Sequence, residues 1–287
     1  MTGIYVSTGA FRGGRLVEMA EACEALGVGM ELSSGVPWHA GLDAEIGEIA
    51  GRKGQLLVHN YFPPPEKPFV LNLASRDMET LERSMDHVRA AIDLSARCGA
   101  LFYSVHSGFA MDLKAEDLGK PEAQARMRKV PYAQAYGMFR EAVQFLSTFA
   151  KTRGVRLLIE NNVITREQVD GESPLLMTEP EEIAGFLREL NTPNLGLLLD
   201  VGHAKVAAGA LGFESRRFFE ELAPWIGAVH LSDNDGLRDN NRPFGDDAWF
   251  GKYLPGGVPL VIEVYGIGID GVAAMVHVLK RWAGEEK

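Results

Sequence analysis

Short apolar runs alternate along the chain with polar loops and with segments of helical period. Eight of these runs predict strands, at Ile4–Ser7, Gly29–Leu32, Gln55–His59, Leu101–His106, Arg156–Glu160, Leu195–Asp200, Ile226–Leu231 and Leu260–Glu263. Several are continuously apolar rather than alternating, which is typical of parallel strands buried on both faces. Strand–helix alternation repeated eight times therefore favours an α/β fold of the closed (β/α)₈ barrel type over an open sheet.

The segments between the predicted strands carry signals for helices. Asp77–Cys98 and Tyr132–Arg153 have apolar residues at helical spacing, and Gly99 follows the first of them as a stop. The stretch from Thr178 to Glu181 predicts a capping box with proline in the first turn, and Asp270 predicts the cap of the last helix. With no low-complexity tract or linker, residues 1–287 are predicted to form a single barrel domain.

The connections after the predicted strands differ in length from those after the helices. Three that follow strands are long, at roughly residues 107–130, 161–177 and 232–255, whereas those that follow helices are short. In (β/α)₈ barrels the loops after strands build the active site. The sequence therefore predicts that function lies at the carboxyl ends of the strands.

Composition narrows the classes of partner. The 287 residues are 46% hydrophobic and 24% charged, and the formal net charge of −10 disfavours diffuse binding to nucleic acid or to anionic lipid. The two cysteines, Cys23 and Cys98, have no metal-binding spacing and are predicted to be buried thiols of a reducing compartment. The start lacks a signal-peptide pattern, and no apolar run approaches ~20 residues, so a cytoplasmic protein without membrane contact is expected.

The residues that end the predicted strands carry the chemistry. Strands three to eight each place an ionisable side chain at or next to the carboxyl end, namely His59, His106, Glu160, Asp200 with His203 close behind it, His230 and Glu263. One histidine or one acid at such a position is more often structural than functional. Here six strands in succession end in such a residue, each after an apolar run. Burial of each unpaired side chain would cost several kcal/mol of desolvation free energy unless the groups compensated one another. A divalent cation is the simplest compensation, and this mixture of ligands suits Zn²⁺, Mn²⁺ or Co²⁺.

The other histidines are predicted to lie outside this cluster. His87 falls beside Asp86 in a helix and is predicted to face solvent. His277 lies in the last helix, where packing or exposure explains it, and His39 follows the second strand as a loop residue.

Several local motifs repeat those of a known superfamily. They are His59-Asn-Tyr-Phe, Val105-His106-Ser-Gly, Glu160-Asn-Asn, Asp200-Val-Gly-His203 and His230-Leu-Ser-Asp-Asn-Asp-Gly. Over nearly its whole length the chain resembles the xylose isomerase-like TIM barrel superfamily, which includes sugar isomerases, epimerases, sugar dehydratases and the endonuclease IV group. The motifs are most similar to those of the endonuclease IV group.

The resemblance to that nuclease group implies three zinc sites. The first would use His59, His106 and Glu160, the second Glu160, Asp200, His230 and Glu263, and the third His203, Asp239 and the residue two beyond it. Here that residue is Asn241, where the nuclease pattern has histidine. An amide is a poor zinc ligand, so the third site is expected to be weak or lost, which counts against the three-metal cleavage of a phosphodiester.

The resemblance to ketose epimerases implies a different use of the same residues. There Glu160, Asp200, His230 and Glu263 would hold one metal, Glu160 and Glu263 would transfer protons through an enediolate, and His203 would bond a substrate hydroxyl. The leading hypothesis is therefore a metal-dependent isomerase or epimerase of a sugar or sugar derivative. A sugar-acid dehydratase, an endonuclease IV-like hydrolase of abasic DNA and a non-catalytic sugar-binding relative stay open, as does the state of assembly, a homo-oligomer included.

Overall fold

A closed barrel of eight parallel strands is present, as predicted, in the computed structural model, which describes residues 3–52, 55–111, 130–169 and 174–284. The strands are β1 Ile4–Ser7, β2 Gly29–Leu32, β3 Leu56–His59, β4 Phe102–His106, β5 Arg156–Glu160, β6 Leu195–Asp200, β7 Ile226–Leu231 and β8 Leu260–Ile262. Each strand pairs with the next one along the chain, and β1 pairs with β8 to close the barrel. Observed and predicted strand ends agree to within one residue.

Helices surround this barrel. They are α1 Leu16–Ala25, α2 Leu42–Ile49, α3 Met78–Cys98, α4 Tyr132–Thr152, α5 Pro180–Leu190, α6 Val201–Leu211, α7 Arg217–Leu222 and α8 Gly268–Trp282. Two of the long loops fall partly outside the described residues, at 112–129 and 170–173. Within the described parts of the chain, no helix is long and apolar enough to cross a membrane.

The core has two layers. The interior of the barrel holds a small cluster that includes Tyr5, Leu57, Phe102, Leu158 and Leu198. A much larger apolar cluster fills the space between the strands and the surrounding helices. Because both faces of every strand are covered in this way, the strands read as continuous apolar runs in the sequence.

The ends of α3 follow the predicted chemistry, whereas those of α5 and α8 do not. The Asp77 side chain caps α3 by accepting from the amide of Thr80, and Gly99 ends that helix in the left-handed region with a φ of 66°. The capping box predicted at Thr178 is wrong, because Glu179 is the N-cap and its side chain makes no capping hydrogen bond, but Pro180 does lie in the first turn as predicted. Asp270 lies inside the first turn of α8, not at its N-cap, Ile267.

The contacts of Glu182 and His87 explain two differences between the structure and the predictions. Glu182, one residue beyond the predicted box, accepts hydrogen bonds from the amides of Met177 and Thr178, so it takes the part that the box assigned to Glu181. His87 does not face solvent, because its ring stacks on Tyr61 at 5.2 Å and meets Phe69 edge-on at 5.7 Å.

The register of the barrel brings the predicted site residues side by side. His106 of β4 is paired with Glu160 of β5, and Asp200 of β6 is paired with His230 of β7. In the same way His59 of β3 is level with Ser104 of β4. The parallel arrangement therefore gathers these side chains at one end of the barrel.

Candidate metal centre

The residues predicted to bind metal converge at the carboxyl ends of the strands. Those with almost no exposed surface are His59, Glu160, Asp200, His203, His230 and Glu263. His106 is more open, with 31% of its side chain exposed. The cluster is therefore a buried group of imidazoles and carboxylates with one histidine at its outer edge.

Glu160 lies at the centre of the cluster and its two oxygens face different neighbours. Its Oε2 is 3.4 Å from His59 Nε2 and 3.3 Å from His106 Nε2. Its Oε1 is 3.4 Å from His203 Nδ1 and 3.8 Å from His230 Nδ1. One carboxylate thus borders two neighbouring groups of donors.

Two of the three ligand sets expected from the sequence are compact enough to hold an ion. In each set the ligand atoms lie within 4.8 Å of one another, and the sets are His59 with His106 and Glu160, and Glu160 with Asp200, His230 and Glu263. A third compact group joins Glu31 to His59 and His230. Imidazole nitrogens and carboxylate oxygens at this spacing suit Zn²⁺, Mn²⁺ or Co²⁺.

Glu31 also belongs to this cluster, although the sequence reading missed it. It lies in β2 with no exposed surface, and its Oε2 is 3.1 Å from His230 Nε2. The other ring nitrogen, Nδ1, is 2.8 Å from Glu263 Oε2. Glu31 therefore fixes the His230 ring so that Nδ1 faces the other carboxylates. The only signal in the sequence is an acidic residue inside an otherwise apolar strand.

Neighbouring polar groups also orient the other histidines. His59 Nδ1 lies 2.9 Å from the Ser104 hydroxyl, which leaves Nε2 directed at Glu160. His203 Nδ1 donates to the backbone carbonyl of Asn161 at 2.8 Å. Such outer hydrogen bonds set the tautomer and the direction of a ligand imidazole.

Asp200 is held by bonds to both its backbone and its side chain. The Asn161 amide donates to the carbonyl of Asp200 and accepts from its N–H, at 3.0 and 2.8 Å. Asp200 Oδ1 accepts from the amide of His203 and so caps α6. Only Oδ2 is left to face the cluster, 3.9 Å from His230 Nδ1.

The residues expected for a third site have different partners. His203 Nε2 faces Asp239 Oδ2 at 3.3 Å, so two of the three expected partners do meet. The Asn241 amide instead donates to the backbone carbonyl of Glu263 at 3.2 Å, with the backbone in the left-handed region at a φ of 42°. His39, on the loop after β2, is exposed and accepts a bond from the Gly41 amide.

Several oxygens of the cluster are buried without a hydrogen-bond partner. They are both carboxylate oxygens of Glu160, Oδ2 of Asp200 and Oε1 of Glu31. Buried acceptors without donors are costly, and a cation is the one partner that satisfies several of them at once. The residues present therefore fit a divalent metal ion.

Burial dominates the protonation of several members of the cluster. It raises the pKa of Glu160 well above its usual value and raises that of Asp200 to about 7. It also lowers the pKa of His106 to about 4 and that of His59 well below its usual value. Neutral imidazoles are the form that binds a metal.

His230 and Glu263 shift in the opposite sense. Burial alone would lower the pKa of His230, but the charges of Glu31 and Glu263 outweigh it and raise that pKa well above its usual value. Burial alone would likewise raise the pKa of Glu263, yet the positive His230 lowers it. The two acidic side chains beside His230 therefore favour its protonated form.

A parallel barrel whose strand ends gather such a cluster defines an α/β barrel protein with a candidate divalent-metal centre. The sequence profile of the xylose isomerase-like TIM barrel family matches residues 17–255. The chain belongs to that family, and the resemblance noted from its motifs is confirmed.

Individual relatives are more distant. The chain is 27% identical over 170 residues to a probable endonuclease 4 from Thermoplasma acidophilum, a match that covers 58% of this chain and only 50% of that protein's length. Two solved structures match over almost their full lengths. The TTHB071 protein from Thermus thermophilus, from a crystal soaked with ZnCl₂, is 25% identical, covers 100% of both chains and has a TM-score of 0.65. A D-tagatose 3-epimerase-like protein is 18% identical, with 98% and 97% coverage and a TM-score of 0.73, and at that identity the likeness concerns the fold alone.

Proposed function

We propose that this protein is a divalent-metal-dependent isomerase or epimerase that acts on a sugar or sugar derivative. The observation that carries the proposal is a buried set of ligand atoms from Asp200, His230 and two glutamates. These glutamates, Glu160 and Glu263, are far apart in the sequence. Membership of the xylose isomerase-like family and the similarity in fold to an epimerase-like protein support this assignment.

The metal would be held by Glu160, Asp200, His230 and Glu263. When bound, such an ion polarises a carbonyl and a neighbouring hydroxyl and stabilises the negative charge of an enediolate. Mn²⁺, Zn²⁺ and Co²⁺ all accept these ligand types. The unsatisfied oxygens of Glu160 and Asp200 are the observation that supports a bound cation.

The chain's own groups would handle the proton. Glu160 ends β5 and Glu263 follows β8, so the two carboxylates approach the site from different strands, and one can take a carbon-bound proton while the other returns it. His203 has Nδ1 bound to the Asn161 carbonyl and Nε2 beside Asp239, and it would bond a substrate hydroxyl through Nε2 in place of that carboxylate. The buried surroundings keep bulk water away from the reacting carbons.

A second candidate function is hydrolysis of a phosphodiester in abasic DNA. The compact set of His59, His106 and Glu160 favours it. This set shares Glu160 with the four-residue set that includes Asp200, and the two sets therefore lie side by side, as paired metal sites do. Against it stand the position of Asn241, whose amide is engaged with Glu263, and the acidic net charge.

The test combines metal counting with isotope exchange. Protein purified without added metal is analysed for metal per chain, and candidate ketoses are incubated with the Mn²⁺-loaded protein in heavy water. The proposal expects one tightly bound ion and deuterium uptake at the carbon next to the carbonyl.

Matched variants make this test specific. Glu160→Gln and Glu263→Gln should each abolish deuterium uptake, and Glu141→Gln, an exposed position on α4, should leave it unchanged. Uptake that persists in both site variants contradicts the proposed proton transfer. Two or more bound ions together with cleavage of abasic DNA would favour the hydrolase instead.

A further inference from the structure

A second cavity lies at the opposite, amino-terminal end of the barrel strands. It has a volume of about 610 Å³ and lies between the end of α5, the turn that leads into β6 and the residues just before β7. Two arginines, Arg156 and Arg188, line it, and none of the described residues that line it is Asp or Glu. The cavity is therefore positively charged in a chain of net negative charge.

Arg156 occupies a space that two glycines keep open. A Cβ at Gly196 of β6 would lie 2.5 Å from Arg156 Nη2, and one at Gly227 of β7 would lie 3.0 Å from Nη1. Neither glycine has a positive φ, so their backbone does not require glycine. What requires it is room for two side chains, the Arg156 guanidinium and Leu158, whose Cδ2 would lie 2.8 Å from a Cβ at Gly196 and 2.7 Å from one at Gly227.

Arg156 also lacks a counter-charge. Among the described residues no carboxylate pairs with it, and Nη2 makes only a long bond of 3.4 Å to the Leu195 carbonyl. Its Nε is buried with no hydrogen-bond partner, and burial lowers the pKa of the guanidinium. The Arg156 side chain is half-buried, and an anion bound in the cavity would supply the acceptor that its buried Nε lacks.

The rest of the cavity provides further contacts for an anionic molecule. The Arg188 guanidinium lies 6.0 Å from the ring centre of Trp225, so a second cation borders an aromatic wall. Asn191 and Thr192 add polar side chains at the rim. The volume falls within the range of about 300–1,000 Å³ that is usual for small-molecule sites, which is more than a bare inorganic anion needs.

We propose that this cavity binds a small organic anion, a carboxylate or a phosphate ester, with the half-buried Arg156 as the inner contact and Arg188 as the outer contact. Arginine suits this role because its planar group donates two parallel hydrogen bonds to either kind of oxyanion. The site lies at the other end of the barrel from the metal centre and does not depend on the function proposed for it.

Calorimetric titration of the metal-loaded protein tests this site. Inorganic phosphate and succinate are the two probes, each added at constant ionic strength set with sodium chloride. We expect saturable binding of at least one probe, and the one that binds more tightly identifies the oxyanion. Arg156→Gln should weaken that binding by about tenfold or more, since charge-assisted hydrogen bonds are lost.

The controls separate this cavity from the metal centre and from general charge effects. Arg97→Gln removes an exposed arginine from the last turn of α3 and should bind as the unchanged protein does. Phosphate held at the metal centre would persist in Arg156→Gln, so only the difference between the two variants reports on this cavity. Should Arg156→Gln fail to fold by circular dichroism, Arg188→Gln takes its place. Absence of saturable binding, or binding that neither cavity variant weakens, overturns the proposal.

Discussion

Replacement of Glu31 tests whether the buried contact with His230 prepares the metal centre. Glu31 Oε2 and His230 Nε2 are 3.1 Å apart and neither residue has exposed surface. A buried hydrogen bond to a charged group contributes about 1.5–3 kcal/mol, which corresponds to roughly 10- to 100-fold in affinity. Loss of a group that hydrogen-bonds a metal-binding histidine lowers metal affinity by a similar factor, about 10- to 100-fold.

Two substitutions of Glu31 should lower Mn²⁺ affinity by different amounts within that range. Glu31→Gln keeps an acceptor oxygen near His230 and should weaken Mn²⁺ binding by about tenfold, whereas Glu31→Leu removes the acceptor and should approach about 100-fold. Titration calorimetry with Mn²⁺ measures both. Without metal, His230 still has Glu263 as a partner, so the free energy of unfolding should change less than the affinity does.

Glu182→Gln is the matched control for loss of a carboxylate outside the metal centre. Glu182 is partly buried and accepts from the amides of Met177 and Thr178, so its replacement should lower stability and leave Mn²⁺ affinity unchanged. If Glu31→Leu binds Mn²⁺ as tightly as the unchanged protein, or if Glu182→Gln weakens binding equally, Glu31 does not act by orienting His230.

Three further predictions concern stability. Burial lowers the pKa of His87 to about 4. The contribution of His87 to the free energy of unfolding is therefore complete above pH ~6.5 and falls by about 2.5 kcal/mol towards pH ~4.5. Urea unfolding at several pH values measures this slope, which His87→Phe should reduce. Gly108→Ala should lower the free energy of unfolding by about 1–3 kcal/mol, because the new Cβ would lie 2.4 Å from that of Ala74 and 3.0 Å from the Ala74 backbone nitrogen. Gly137→Ala on α4 has open space around the new Cβ and should raise the free energy of unfolding by about 0.5–1 kcal/mol. An equal effect of the two variants in urea titration would contradict the steric explanation. Chelation of metal present at 100 times its dissociation constant should lower the free energy of unfolding by about 2.7 kcal/mol, restored by Mn²⁺, and a thermal scan that EDTA leaves unchanged would contradict a bound ion.

The strands and most of the candidate centre could be predicted because they depend on patterns close together in the sequence. A strand buried on both faces is a short apolar run, and the ionisable residue that ends it is conspicuous, as at His106 or Glu160. Parallel register then brings such strand ends together without further information. The assignment of residues 1–287 to one domain and the chemical roles given to the site residues stay predictions.

What sequence reading missed depends on contacts between distant segments or on local backbone geometry. The bond from His230 to Glu31 joins residues 199 positions apart, and nothing adjacent to Glu31 marks its role. The cap of α5 was misplaced because the amides that need a partner, at Met177 and Thr178, lie before the helix and turn towards Glu182. His87 was assigned to solvent from its polar neighbour Asp86, although aromatic rings from the loop after β3 cover it.

Glu160 is the residue at which the two candidate chemistries exclude each other. Its Oε1 faces the side of His203 and His230, and its Oε2 faces His59 and His106. With a single ion on the first side, Oε2 keeps a lone pair that can accept a proton. A second ion held by His59, His106 and Glu160 would engage the carboxylate further, and Glu160 would then no longer be available as a base. We therefore expect the number of bound ions, rather than the identity of the ligands, to distinguish the two proposed chemistries.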